Sequence, residues 1–147
     1  MSDAIVITSR LPKEQHSALE HLLFFNVNQH RVRLGIQQSI ETYGVPEIFE
    51  QDDCLRIRVG NVAGAQTLFA VSAEGRLLGV AVFVREARER FVVLHVGVEP
   101  RLGGSMDVNT PVLLKLMHEI RSAARRTRGV ARIEVVYKER HPVLLNV

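Results

Sequence analysis

The chain has 147 residues, 46% apolar and 24% charged, which suits a single domain over residues 1–147 and excludes a disordered chain. Aromatic residues make up 5% and Trp is absent, so the core must be built from Val, Leu, Ile and Ala. The net charge of +3 is modest but unevenly spread, with Arg121, Arg125, Arg126, Arg128 and Arg132 following one another without an intervening acid. Such a cluster either meets phosphates, of nucleic acid or of a nucleotide cofactor, or is a solvated helix end whose cations offset the C-terminal dipole.

Cys54 is the single cysteine, so no internal disulfide forms. Its place at the start of an apolar strand reads as a small buried hydrophobe. No basic-then-apolar leader precedes residue 5, and no apolar run has the length of a membrane span. The expectation is a cytoplasmic protein with no membrane partner.

Ile5, Val6 and Ile7 open a short strand within Ala4–Arg10. Pro12 then suits a first helical turn, and Ala18, Leu19, Leu22, Leu23 and Phe25 recur at helical spacing. A second helix is predicted from about Arg31 to Tyr43, stopped by Gly44 and Val45-Pro46. From Cys54 the period becomes two: Leu55, Ile57 and Val59 alternate with Arg56 and Arg58. Thr67–Ser72 and Leu77–Val84 read as a hairpin around Ala73-Glu74-Gly75-Arg76. The polar stretch Arg85–Arg90 links them to a strand over Phe91–Val98, which Glu99-Pro100 ends.

Arg101–Thr110 reads as a loop, and Pro111 as the opening of a helix capped by Asn109 or Thr110. Leu113, Leu116, Met117, Ile120 and Ala124 form one side of that helix, and Gly129 closes it. Ala131–Tyr137 is the last full strand. A strand, a crossover helix and a strand imply a parallel pair, right-handed in connection. The fold class is therefore α/β (α+β): a mixed, mainly antiparallel sheet with flanking helices.

Gly103-Gly104 before a helix is either a flexible turn or a place where backbone N–H groups and the helix dipole meet a phosphate. Arg101 would add a charge-assisted hydrogen bond there, while Asp107 brings negative charge close by. His16 and His21 are five apart, a spacing that does not place two ligands on one helical face. No metal is expected. Asp52-Asp53 reads as a solvated turn. Arg56 and Arg58 lack stacking aromatics beside them in sequence, which makes nucleic acid the less favoured partner.

The order of elements over about residues 4–137 resembles the GNAT superfamily of N-acetyltransferases. Val96-Gly97-Val98-Glu99-Pro100-Arg101-Leu102-Gly103-Gly104 resembles its strand and pyrophosphate loop. The resemblance implies GNAT-like topology, with acyl-CoA, acetyl-CoA above all, as co-substrate and a small-molecule or peptide amine as acceptor. By the same resemblance, backbone groups of Val96 and Val98 hold the pantetheine arm in a gap between splayed strands, with Gly97 supplying the irregularity. Arg101, Gly103, Gly104 and Ser105 would hold the pyrophosphate. Val92 stands where many members carry a base Glu, which leaves His95 or Glu89 for that role and Tyr137 as the acid.

Three features set the chain apart from that pattern: Met106 in the loop's last small position, a loop a few residues longer, and only Lys138–Val147 after the last strand. They keep two other readings open, a catalytically inactive GNAT-like binding or regulatory module and a basic nucleic-acid-binding domain. The short tail leaves room for one more strand, over Pro142–Val147. It also predicts an open edge on Ala131–Tyr137 and a homodimer that closes it.

Overall fold

A computed structural model describes residues 4–24, 40–60, 62–99, 106–135 and 143–147, with the side chains of 106–110 and 143–145 outside that description. The described residues hold, in order, β1 (Ile5–Thr8), β2 (Leu11–Pro12), α1 (His16–Phe24), β3 (Pro46–Gln51), β4 (Cys54–Val59), β5 (Gln66–Ser72), β6 (Leu77–Ala87), β7 (Arg90–Val98), α2 (Met106–Arg126), β8 (Arg132–Val135) and β9 (Val143–Asn146). A 3₁₀ turn, Lys13–Gln15, leads into α1. Residues 40–43 form a last helical turn before β3; the rest of the predicted second helix lies outside the described residues.

The strands make two sheets: six in the order β1-β5-β6-β7-β8-β9, and three in the order β2-β4-β3. Neighbours in the large sheet are antiparallel except β7 and β8, which are parallel. This is the mixed, mainly antiparallel α/β arrangement expected from the sequence, with the one parallel pair where the α2 crossover demands it.

Both faces of the large sheet are covered. On one, Leu19, Leu22 and Leu23 of α1 and Leu55, Ile57 and Val59 of β4 pack with Val80, Val82, Val84, Val92 and Leu94. On the other, Val112, Leu116, Ile120 and Ala124 of α2 pack with Ala81, Phe83, Phe91, Val93 and Ile133. Burial on both sides explains why Leu77–Val84 is a continuous apolar run. Two glycines let the helices close in. A Cβ on Gly97 would sit 2.8 Å from the Leu22 carbonyl oxygen, and one on Gly79 would sit 2.8 Å from Val112 Cγ1.

Several boundaries differ from the sequence reading. A strand, β3, occupies Pro46–Gln51 and pairs with β4 through the turn at Asp52 and Asp53, both left-handed at φ 55° and 63°. Such a pair of positive φ angles matches the right-handed twist of a hairpin, and Asp tolerates it. Cys54 at that corner is half-buried rather than enclosed. Arg85–Arg90 is not a link: β6 and β7 run through it and leave only Arg88 and Glu89 at the turn. Helix α2 begins at Met106, so Pro111 lies inside it and Asn109 and Thr110 are helical residues, not caps. The segment between β7 and α2 is correspondingly shorter than expected, and Met106 opens the helix.

The edge predicted on the last parallel strand is closed within the chain, because β9 folds back antiparallel onto β8, from Arg132↔Asn146 to Val135↔Val143. The one short strand expected from Pro142–Val147 is therefore present, and β9 becomes the outer strand of the sheet.

Candidate functional site

Two geometric features define the site: an irregularity in β7 and the parallel pairing of that strand with β8. In the β6–β7 ladder Val82 faces His95 while Phe83 faces Val93, so Leu94 is an added residue, a β-bulge. The irregularity therefore sits at Leu94. Gly97, to which the sequence assigned it, pairs in register with Val80.

The bulge changes which face each residue uses. Before it, Phe91 and Val93 join the α2-side core; beyond it, Val96 and Val98 do so. His95, opposite Val82, lies on the α1 side.

The parallel ladder runs from Arg90↔Arg132 to Val93↔Val135. Beyond it β7 continues to Val98, and residues 136–142 lie outside the described residues. Val96 and Val98, the pantetheine-binding residues implied by the resemblance, both lie on β7 beyond the bulge. Arg101, Gly103, Gly104, Ser105 and Tyr137 lie outside the described residues.

His95 is 4% exposed. Burial pushes its pKa down from 6.5 to about 4, so the imidazole is neutral at pH 7. Glu89 stands at the β6–β7 turn, at the far end of β7 from Val98. Its carboxylate meets Arg132 at 3.4 Å, and its carbonyl accepts the N–H groups of Ala131 and Arg132 at 2.8 and 3.0 Å. His95 and Glu89 are therefore not brought together. Val92, opposite Glu134 in the ladder, is wholly buried.

A polar network that the sequence did not reveal lies between them. Arg90 is 29% exposed and Glu134 16%; their side chains meet at 3.0 Å, and Arg90 also reaches Glu86 at 3.2 Å. The Tyr43 hydroxyl donates to the other Glu86 oxygen. Burial, that hydrogen bond and the charge of Glu86 together push the Tyr43 phenol well above its ordinary pKa. Four residues from four parts of the chain thus put two carboxylates against one guanidinium, beside the base of the β7–β8 pair. The alternation of Arg132 and Glu134 with Ile133 and Val135 is the only signal of it in the sequence.

Elsewhere, a groove of about 420 Å³ runs past Ser9, Phe49, Arg56, Arg58, Gln66 and Thr67. Arg58 stacks over the Phe49 ring at 5.0 Å and bonds Glu47 at 2.9 Å. The missing strand β3 thus supplies the aromatic neighbour that the sequence reading found lacking. Among the described residues no group of His, Cys, Asp or Glu could hold a metal ion, and no helix is long and apolar enough to cross a membrane.

Two solved structures are similar to the chain. One is described as IAA acetyltransferase from Bacillus cereus ATCC 14579: 20% identity, TM-score 0.49, with 90% of this chain and 65% of that one covered. The other is described as nourseothricin acetyltransferase: 18% identity, TM-score 0.44, with 92% and 73% covered. The chain thus spans under two thirds of the first protein's length. No family model matches, and no curated protein does. Likeness at this level transfers neither a substrate nor a catalytic residue.

Proposed function

We propose that the chain is an acyl-CoA-dependent N-acyltransferase, with acetyl-CoA as donor and a small-molecule or peptide amine as acceptor. The observation that carries this reading is the bulge at Leu94 in β7, the strand that pairs in parallel with β8 and runs on to Val98 toward α2. A bulged strand suits an extended pantetheine arm held by backbone groups of Val96 and Val98. The segment leading to α2 then brings Arg101, Gly103, Gly104 and Ser105 to the pyrophosphate.

When bound, the thioester supplies an activated acyl group, so the chain has to orient the amine, accept its proton and protonate the leaving thiolate. His95 is neutral at pH 7 and accepts a hydrogen bond in that form, though its low pKa makes it a weak base. Glu89 is the other base named from sequence, and Glu134 joins them as the most enclosed carboxylate of the network beside Val92. Tyr137 is assigned as acid. In this reading the chain works in the cytoplasm, and its homodimer forms along the outer edge of β9.

A second reading, a binding module without catalysis, is favoured by one observation: Val92, at the position of the family's base, is sealed in the core.

Calorimetric titration of acetyl-CoA separates the two. Micromolar binding that Arg101→Ala and Gly104→Glu each weaken at least tenfold is the expected result. No heat and no thermal shift at millimolar cofactor would overturn the acyltransferase reading. Binding without turnover over a panel of amines would favour the module.

A further inference from the structure

The arginines that crowd the end of α2 in sequence do not stand alone in space. Arg85, near the end of β6, sends its guanidinium across the β6–β7 turn: Nη2 donates to the Arg88 carbonyl at 2.6 Å and to the Arg128 carbonyl at 2.9 Å. Nε donates to the same Arg88 carbonyl at 3.1 Å. This bond set stitches the β6–β7 turn to the α2–β8 turn, where Gly129 sits at φ 92°. A Cβ on Gly129 would lie 3.4 Å from Arg88 Nε and 3.5 Å from Arg85 Nη2.

Arg85 and Arg88 thereby join Arg125, Arg126 and Arg128 at one corner, and all five are exposed. Their charge alone exceeds the +3 of the whole chain. The nearest ion pair, Arg132 with Glu89, is internally neutral. Concentrated charge of one sign on a fixed scaffold is an electrostatic footprint for a polyanion.

Three observations narrow the partner. First, the corner adjoins the Arg90 end of β7, whereas the segment proposed for the cofactor leaves the Val98 end; α2, 21 residues and about 30 Å long, separates the two. The cofactor's pyrophosphate is therefore not the anion. Second, among the described residues the exposed large apolar side chains are Val6, Phe24, Val45, Leu113 and Leu114, none of them at the corner. A protein partner would lack the buried anchors on which such interfaces depend, and single-stranded nucleic acid would lack a stacking platform. Third, every cation of the corner is Arg and none is Lys, and the guanidinium fork matches phosphate oxygens two at a time.

We propose that this arginine corner docks the phosphodiester backbone of duplex nucleic acid, without reading its sequence. The corner acts independently of the acyltransferase reading and stands whether or not that reading does.

Fluorescence anisotropy of labelled duplexes of about 20 base pairs, in two unrelated sequences, tests this across about 50–200 mM KCl. Each phosphate neutralised contributes about 0.9 to the slope of log Kd against log salt. The expected slope is about 3 to 4 and is the same for both sequences. The double variant Arg125→Ala/Arg126→Ala should lower it by about 2 and weaken binding at least tenfold at the lowest salt. Arg56→Ala, on the outer face of the other sheet, should leave it unchanged, and melting curves confirm that both variants fold. No binding at low salt, equal loss with Arg56→Ala, or an undiminished slope in the double variant would overturn the proposal. So would capture of a polyglutamate peptide in preference to the duplex.

Discussion

His95 shows how far burial alone can set the chemistry of a side chain. At 4% exposure the charged imidazole is disfavoured, and the pKa falls to about 4 from an unfolded value near 6.5. Above pH 6.5 both folded and unfolded chains hold neutral imidazole, and the group adds no slope to stability. Between pH 6.5 and about 4 the unfolded chain binds a proton that the folded chain refuses, so stability falls as pH falls. The full gap corresponds to about 3 kcal/mol. The melting temperature should therefore drop between pH 7 and pH 5, and His95→Gln should flatten that drop; an unchanged profile in the variant would remove His95 as its source. Gly97 illustrates a different constraint, space rather than charge. A methyl group there meets the rigid Leu22 backbone, so Gly97→Ala should lower the urea midpoint by the equivalent of about 1–3 kcal/mol at constant m-value. Gly79→Ala should cost less, because its nearest neighbour is a side chain, Val112.

At the level of elements, what the sequence discloses depends on how many faces an element buries. β4 buries one face, and Leu55, Ile57 and Val59 announce it by alternation. β7 buries both, so no alternation existed for the extra residue at Leu94 to break, and the bulge was invisible. β3 was hidden by Pro46, which is tolerated because it stands at the strand's first residue, and by its own Glu47 and Glu50. Pro111 was misleading in the opposite sense: read as an opening residue, it sits a turn and a half into α2. The Tyr43–Glu86–Arg90–Glu134 network was illegible for a simpler reason. Its members come from four separate elements, and only the sheet's register sets Glu134 beside Val92. Of the site, Val96 and Val98 could be named from sequence; the bulge before them could not.

For the molecule as a whole, closure of the sheet decides how it meets copies of itself. The open edge predicted on β8 is filled by the chain's own β9, leaving β9 and β1 as the outer strands. An outer strand offers unpaired backbone groups to another chain, and β9 is four residues long. If the homodimer forms there, light scattering at tens of micromolar should report twice the chain mass of 16.5 kDa, and replacing Leu144 by Pro should return it to one. A monomer at that concentration in the unaltered chain would end the dimer reading, and would leave the short outer strand as protection against association.

The residue added at Leu94 also sets a rule for change along β7. Because it shifts the parity of everything after it, the strand behaves like two strips of opposite phase spliced end to end. Adding one more residue beyond the bulge would not lengthen the strand harmlessly. It would rotate a valine side chain toward Leu22, where only a glycine fits, and turn Gly97 toward α2, where it fills nothing. Substitutions in this strand act one residue at a time, but a single insertion would be felt by both helices at once.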